Sequence, residues 1–137
     1  MSTRSNIGII HEDETVTFIY CHYDGYLECV GTILYENYSN LEKLYELMEL
    51  GSISSLGSNI GTKHSFDNCP QDETNSYGRD RGEKDVSSRT LSNKYEVKKV
   101  MEEFLYLYDT KDKKWIFTGG GEFLDLEPEI LKLKNKK

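Results

Sequence analysis

The chain has 137 residues and a formal net charge of −7, with 24 acidic and 17 basic side chains. That length suits one domain with a single core, and 10 Tyr, 5 Phe and one Trp supply enough bulk to argue against disorder. The acidic surplus disfavours a nucleic acid polymer as partner. No apolar run approaches the ~18 residues of a membrane-spanning helix, so we expect no membrane association.

The two ends of the chain indicate its compartment and its domain limits. The first residues contain no apolar stretch long enough for a secretion signal, so we expect a cytoplasmic protein whose three cysteines are reduced thiols. The last six residues, KLKNKK, contain four lysines and no acid. We predict a single domain over 1–131, with 13 basic and 24 acidic side chains and a charge of −11, and a basic tail over 132–137.

The first predicted elements are a hairpin and a helix. Alternating apolar residues predict strands over 3–10 and 15–22, which the short polar segment HEDE joins. After the break at Asp24-Gly25, apolar residues at helical spacing predict a helix over 27–38.

A second helix is predicted to begin at Ser39, because Ser39 and Glu42 have the spacing of a capping box. Gly51 suits the position just after its end, where a left-handed residue is favoured. The face that this helix would bury contains Leu41, Leu44, Tyr45 and Met48.

The segment 52–90 has no clear periodicity and is rich in Ser, Gly, Asn, Asp and charged residues. A stretch of this length without regular structure is unusual inside a compact domain. We interpret it as a long polar loop that is either partly disordered or functional, with a short edge strand over 77–81.

The last third of the chain predicts a short helix, a hairpin and a terminal segment. Ser92 is predicted to cap the helix. The face that this helix would bury contains Val97, Val100, Met101 and Phe104. Strong β-formers at 104–109 and 115–119 flank the polar turn TKDKK, and the chain then finishes as a short helix or a frayed tail.

The order of these elements indicates an α+β fold. We predict an antiparallel sheet of about four or five strands, with two or three helices packed on one face.

The strongest candidate for a binding site is the sequence SYGRDRGEKD at 76–85. Gly78 and Gly82 permit tight turns that point backbone N–H groups at a ligand. Arg79 and Arg81 suit bidentate contact with phosphate or carboxylate, and Tyr77 is expected to stack on a base or on an arginine. We therefore predict that this loop binds a small phosphate-containing ligand.

The same loop has a second interpretation, as a polar turn closed by ion pairs. The charged residues available for such a network are Arg79, Asp80, Arg81, Glu83 and Lys84. Exposed pairs of this kind contribute little to stability. We include Asp80 and Glu83 among the predicted ligand-binding residues, but no P-loop or dinucleotide-binding glycine pattern decides between the two interpretations.

The sequence CHYDGY at 21–26 is the second candidate. His22 and Asp24 lie on one side of an extended strand, as a base and the group that orients it would. Together with Tyr26 they are predicted to contribute to the ligand site. The alternative is structural, with Asp24 capping the following helix and His22 paired to it. His64 with Asp67 is a further candidate pair, but no nucleophile with an evident role accompanies either, so we predict no enzyme.

A metal site is the third candidate. Its members have side chains of the type that bind zinc, namely Cys21, His22, Cys29, His64 and Cys69. They are scattered, and their spacing does not match that of zinc fingers. We therefore predict no metal and no cofactor.

Five stretches, in this order, carry a resemblance that spans nearly the whole chain. They are MSTRSNIGI at the start, IYCHYDGY at 19–26, GSISSLG at 51–57, YGRDRGE at 77–83 and WIFTGGGEFLDL at 115–126. The chain resembles a family of small proteins encoded by bacteriophages and prophages, whose typical member carries Trp in place of Tyr23 and Pro in place of Leu27. That family has no established activity. The resemblance implies an accessory protein of host takeover or counter-defence, acting in the cytoplasm of a bacterial host.

This context ranks three hypotheses. The first is a stoichiometric binder, expected by analogy to be a homo-oligomer, that sequesters a nucleotide-type immune signal such as a cyclic nucleotide or an ADP-ribose derivative. The second is an acidic inhibitor, acting as a nucleic-acid mimic, of a host defence nuclease or effector. The third is a small hydrolase that uses His22 and Asp24.

Overall fold

The computed structural model describes residues 2–135, which form a mixed β-sheet flanked by helices. The strands are β1 Ser5–Ile10, β2 Val16–Cys21, β3 Ile53–Ser55, β4 Asn75–Ser76, β5 Arg89–Leu91, β6 Phe104–Asp109, β7 Lys114–Thr118 and β8 Leu124–Asp125. The helices are α1 Thr32–Asn37, α2 Leu41–Leu50, α3 Tyr77–Arg81, α4 Lys94–Val100 and α5 Leu126–Asn135. A π-helical turn at Leu27–Gly31 leads into α1, and a 3-10 turn at Phe66–Asn68 precedes β4.

The strand β1 lies at the centre of the sheet. The strand order is β4-β3-β2-β1-β6-β7-β8, and β5 pairs with the first half of β2 while β3 pairs with its end. The pairings of β1 with β6 and of β2 with β3 are parallel, and the others are antiparallel. The end of β2 therefore lies beside the segment that follows α2.

The sheet is buried on both faces, because alternate side chains of its central strands enter two separate cores. On one face, Ile7 and Tyr106 pack in a core that also contains residues of α1, α2 and α5. On the other face, Leu105 and Leu107 pack with Val97 of α4. The smaller core covers only part of its face, which leaves the end of β2 free on that side for polar and aromatic side chains.

The predicted α+β class is confirmed, with a sheet that is larger and more mixed than predicted. Within residues 2–135 the sheet has eight strands instead of four or five, two of its pairings are parallel, and α4 packs on the face opposite the other core-forming helices. The additional strands β3, β4, β5 and β8 have two or three residues each, which is too short for alternation to be recognised.

Both predicted hairpins are confirmed. The β1–β2 hairpin pairs Ile7 with Ile19, and the β6–β7 hairpin pairs Leu107 with Ile116. The helix predicted over 27–38 is present as the π-helical turn followed by α1.

The segment 52–90 is not a continuous loop, because it contains β3, β4, α3 and β5. The edge strand predicted over 77–81 is wrong, since these residues form α3. The Ser76 hydroxyl accepts a hydrogen bond from the N–H of Arg79 at 3.2 Å, and Gly82 follows the helix with a φ of 75°. A serine cap and a left-handed glycine are both local helix signals, which the strand prediction overlooked.

Two helices begin one residue later than predicted. The side chain that caps α2 belongs to Asn40 and not to Ser39, and it accepts a hydrogen bond from the N–H of Lys43 at 3.2 Å. Asn93, and not Ser92, caps α4. Serine and asparagine are about equally favourable caps, so the sequence alone does not separate adjacent candidates.

The predicted buried faces of α2 and α4 are partly wrong. The buried residues of α2 are Leu44, Leu47 and Met48. Leu41 is the first residue of the helix and is 39% exposed, and Tyr45 packs on the ring of His11 instead of entering the core. On α4, Val100 is exposed, and Phe104 belongs to β6.

The C-terminal segment forms α5, so the predicted tail over 132–137 begins inside a helix, and its residues 136–137 lie outside the described range. No helix among residues 2–135 combines the length and the apolar character that crossing a membrane requires.

Gly51 connects α2 to β3 in a conformation that other residues rarely adopt. Its φ is 73°, in the left-handed region that glycine favours. A Cβ atom at this position would overlap the carbonyl oxygen of Val86, which also accepts a hydrogen bond from the N–H of Ser52 at 2.7 Å. The backbone on either side is therefore fixed, and a side chain at Gly51 would displace it.

We expect Gly51→Ala to lower the free energy of unfolding by about 2 kcal/mol or more, because strain at a positive φ alone costs on the order of 1–3 kcal/mol. Urea denaturation measures the change. Gly121→Ala is the matched control, since a Cβ there meets no atom within 4 Å, and its effect should stay within about 0.5 kcal/mol. Equal stability of the two variants would contradict this account of the α2–β3 connection.

Candidate functional site

The predicted binding loop is held in place by a buried ion pair between Arg79 and Asp80. The Arg79 Nε donates to Asp80 Oδ1 at 2.9 Å, and its Nη2 donates to Oδ2 at 3.1 Å. Asp80 also accepts from the N–H of Ser76 at 2.8 Å and from the N–H of His64 at 3.2 Å. The side chain of Asp80 is fully buried, so this pair is not one of the weak surface pairs that the sequence suggested.

The remaining donors of Arg79 are used to hold the backbone of the surrounding segment. Its Nη1 donates to the carbonyl oxygens of Ile60 and Gly61 at 3.0 and 3.2 Å, and its Nη2 donates to that of Thr74 at 2.8 Å. With the two bonds to Asp80, all five N–H groups of the guanidinium have partners within the chain. Arg79 therefore has no donor left for a ligand, and its position is that of a structural residue.

The electrostatic balance at Asp80 favours the carboxylate. Burial alone would raise its pKa, but the hydrogen bond from Arg79 and the backbone N–H groups of Ser76 and His64 hold the pKa below its usual value. The group is therefore charged at neutral pH and paired with the charge of Arg79.

His64 belongs to the same network. Its Nδ1 lies 2.8 Å from the carbonyl oxygen of Thr62, and its Nε2 lies 3.0 Å from Oδ1 of Asn75 and 3.4 Å from Oδ2 of Asp80. Within residues 2–135 no hydrogen bond or ion pair joins His64 to Asp67. The predicted pair of His64 with Asp67 is therefore not formed, and both ring nitrogens face groups that hold the loop together.

Arg81, two residues further on, points into a different environment. Its guanidinium lies over the rings of Phe66, at 4.5 Å, and Tyr77, at 4.9 Å, and these two rings stack on each other with centroids 5.5 Å apart. Nε donates to Glu83 at 2.6 Å, and the same carboxylate pairs with Nη2. About half of the side chain is exposed, and Nη1 has no partner among the described residues. Arg81 is therefore a cation that keeps free donors at the surface.

Sheet pairing brings Tyr77, on which Arg81 packs, close to the end of β2. Cys21 of β2 pairs with Ile53 of β3, which in turn pairs with Ser76 of β4, directly before Tyr77. Burial raises the pKa of Tyr77, the nearby Ser54 and Arg81 oppose this shift, and Tyr23 adds to it. Tyr77, the first residue of α3, therefore lies near Tyr23 at the end of β2.

Three aromatic side chains lie at the β2 end. His22 Nδ1 lies 2.6 Å from the hydroxyl of Tyr20, and the imidazole meets the ring of Tyr23 edge-on, with centroids 4.5 Å apart. Tyr23 is 47% exposed. We define the Arg81 site as the six side chains Tyr20, His22, Tyr23, Phe66, Tyr77 and Arg81. In this cluster the half-exposed guanidinium lies over Phe66 and Tyr77, and Tyr77 in turn lies near the aromatic side chains of the β2 end.

Asp24 and Tyr26 follow this surface in the chain but take no part in its contacts. Within residues 2–135 no hydrogen bond or ion pair joins His22 to Asp24, and no side-chain cap is formed at the start of the π-helical turn. The pair of His22 with Asp24 and the predicted cap are therefore not formed, and Asp24 is exposed in a left-handed conformation, with φ 59°. A role of Asp24 or Tyr26 in ligand binding stays a prediction.

The five side chains named above as zinc-type ligands do not form a cluster in the described part of the chain. Among residues 2–135 no group of three His, Cys, Asp or Glu side chains is placed to hold a metal ion. Cys21 is fully buried, and burial raises the pKa of its thiol to about 12, which keeps it protonated.

Sequence reasoning identified Tyr77, Arg81 and His22 but missed the other members of the Arg81 site. Phe66 lies in a segment without periodicity, and its contact with Tyr77 depends on the 3-10 turn. Tyr20 and Tyr23 lie in a predicted strand and in the turn after it, where tyrosine carries no specific signal of binding. The available signal was the alternation of β2, which places Tyr20 and His22 on the face opposite the buried Cys21.

Comparison of the chain with family models, with curated proteins and with solved structures finds no match. The function is therefore argued from the geometry of the Arg81 site.

Our expectation for the Arg79–Asp80 pair is that Asp80→Asn lowers the free energy of unfolding by about 3 kcal/mol, because it removes one charge of a buried pair. Chemical denaturation measures the loss. Glu96→Gln is the matched control, since it removes a carboxylate from the exposed pair with Lys99, at 2.9 Å, and should cost at most about 0.5 kcal/mol. A similarly small loss for Asp80→Asn would show that the pair does not hold the loop.

The contribution of Asp80 should also depend on pH. Because its pKa is lowered in the folded state, the stabilisation is complete above the ordinary aspartate pKa of about 3.9 and is lost as the pH falls through the lowered value. The stability difference between the wild type and Asp80→Asn should therefore shrink as the pH falls below about 5. Denaturation curves recorded across this range test the sign, and a difference that stays constant or grows in acid would contradict it.

Proposed function

We propose that this protein binds a small phosphate-containing ligand of the nucleotide type at the Arg81 site, and that it acts by sequestering that ligand. The observation that carries the proposal is the contrast between two neighbouring arginines. Arg79 uses all its donors within the chain, whereas Arg81 is half exposed, packs on Phe66 and Tyr77, and keeps Nη1 without a partner among the described residues.

The phosphate would be bound by Arg81. Its guanidinium is already fixed from two sides, by the two aromatic rings and by Glu83, so little side-chain entropy remains to be lost on binding. Hydrogen bonds between a guanidinium and a phosphate are charge-assisted and stronger than neutral ones. Glu83 competes with an anion for the same guanidinium, which would favour a ligand with more than one negative charge.

The base of the ligand would lie against the aromatic side chains. Tyr23 is exposed and is buttressed by His22, which in turn is held by the hydroxyl of Tyr20. Stacking of a base on an aromatic side chain is worth roughly 1–3 kcal/mol per base and tolerates any base. The cation of Arg81 would retain a small nucleotide, while the net charge of −7 on the whole chain repels long nucleic acids.

Sequestration is favoured over catalysis by the chemistry of the site. Besides Arg81, its titratable members are His22, which is hydrogen-bonded to a tyrosine hydroxyl, and the tyrosines. Burial raises the pKa of Tyr20 and of Tyr77, so both stay protonated at neutral pH. This set suits recognition better than nucleophilic attack. The resemblance to phage-encoded proteins makes a nucleotide signal of bacterial immunity the proposed ligand, bound in the host cytoplasm by a homo-oligomer.

The acidic inhibitor of a host defence protein remains the alternative. It rests on the net charge, and a surface that combines the exposed Tyr23 and half-buried tyrosines with an arginine also has the composition of a protein-binding site. Salt-sensitive capture of one host protein, without any nucleotide binding, would favour this alternative.

We expect a nucleotide that binds to raise the melting temperature of the protein, and Arg81→Ala to weaken binding by about tenfold to a hundredfold through loss of charge-assisted hydrogen bonds. Thermal shift against cyclic dinucleotides, cyclic ADP-ribose and linear nucleotides identifies the ligand, and calorimetry measures the affinities. Lys99→Ala, which removes an exposed charge on α4, is the matched control and should bind like the wild type.

A second variant tests the role of the neighbouring carboxylate. Glu83→Gln removes the group that competes for Arg81 and should strengthen binding of the same nucleotide. No stabilisation by any of these nucleotides, or full affinity in Arg81→Ala, would overturn the proposal.

A further inference from the structure

A cavity of about 250 Å³ lies where the β6–β7 hairpin meets α1 and the start of α5. Its walls include Tyr35, Tyr108, Lys113, Lys114, Trp115 and Glu127. A more open depression beside the start of α2 adjoins the cavity and shares Ser39, Tyr108 and Lys113 with it. None of these residues belongs to the Arg81 site.

Trp115 lines this cavity and carries a buried hydrogen-bond donor without an acceptor. Trp115 is 3% exposed, and its indole N–H has no partner among the described residues. The ring meets that of Tyr108 edge-on, with centroids 5.5 Å apart, so both rings are fixed by their packing in the larger core. Unpaired buried donors are rare in folded proteins, and an acceptor carried by a bound ligand would supply the missing partner.

The charged groups around the cavity leave one cation available. Lys114 pairs with Asp125 at 2.9 Å, and the Tyr35 hydroxyl donates to Glu127 at 2.7 Å. The ammonium group of Lys113, at the end of the hairpin turn, forms no ion pair or hydrogen bond within residues 2–135. Lys113 is exposed at the mouth of the cavity. A ligand with an anionic group would find its counter-ion here.

We propose that this cavity is a second ligand site, for a small aromatic carboxylate or phosphate. The aromatic body would pack against Tyr108 and Trp115, an acceptor atom would bond to the indole N–H, and the anionic group would pair with Lys113. A volume of about 250 Å³ limits the aromatic body to one or two rings. This site is independent of the nucleotide site proposed above.

Trp115 makes the proposal directly testable, because it is the only tryptophan in the sequence. Fluorescence titration with phenyl phosphate and with benzoate should change the tryptophan emission in a saturable way, and neutral benzamide should bind at least about tenfold more weakly. If phenyl phosphate binds better than benzoate, the natural ligand is a phosphate; the reverse order indicates a carboxylate. The absence of a saturable change with either anion would overturn the proposal.

Variants separate this site from alternatives. Lys113→Gln should weaken binding of phenyl phosphate about tenfold or more. Lys111→Gln removes another lysine of the β6–β7 turn, which pairs with Glu14, and should leave the affinity unchanged. Trp115→Phe keeps an aromatic ring but deletes the donor, and calorimetry should then show weaker binding of phenyl phosphate.

Arg81→Ala should bind phenyl phosphate at this cavity like the wild type, so failure of one site is distinguishable from failure of the other. Equal affinity in Lys113→Gln and Lys111→Gln would refute the assignment.

Discussion

The buried pair of Arg79 and Asp80 is the interaction on which the Arg81 site depends. It joins α3 to residues around Gly61, His64 and Thr74, a segment with little regular structure of its own. A buried charge pair is stable only when its remaining donors and acceptors are also satisfied. Here backbone groups supply those partners, so the pair and the conformation of the segment stabilise each other. The conformation of the surface around Arg81 follows from this arrangement.

Helix α3 converts two similar arginines into residues with opposite roles. Each residue turns an α-helix by about 100°, so side chains two positions apart are rotated by about 200° and face nearly opposite directions. Arg79 therefore points toward the carbonyl oxygens of Ile60 and Thr74, and Arg81 points toward Phe66. The pairings of β2 with β3 and of β3 with β4 then bring the end of β2, with His22 and its aromatic neighbours, close to Tyr77, on which Arg81 packs. Binding chemistry at the surface is thus supported by structural chemistry beneath it.

The sequence predicted elements whose signals are local and missed contacts that depend on distant residues. The β6–β7 hairpin was predicted because its strands are strong β-formers on either side of a polar turn. The strands β3 and β4 are too short to show alternation, and the parallel partner of β1 lies about a hundred residues away in the chain, at Phe104–Asp109. Arg79 and Arg81 look equivalent in sequence, and their difference became visible only through carbonyl groups from residues 60, 61 and 74.

Arginine side-chain NMR tests the central claim most directly. The chain contains four arginines, at 4, 79, 81 and 89, so their Nε–H signals can be assigned by single substitution. During titration with a nucleotide that raises the melting temperature, our account predicts that the Arg81 signal shifts and saturates. The Arg79 signal should stay unchanged and exchange slowly with solvent. A shift at Arg79 while Arg81 remains unaffected would contradict the account.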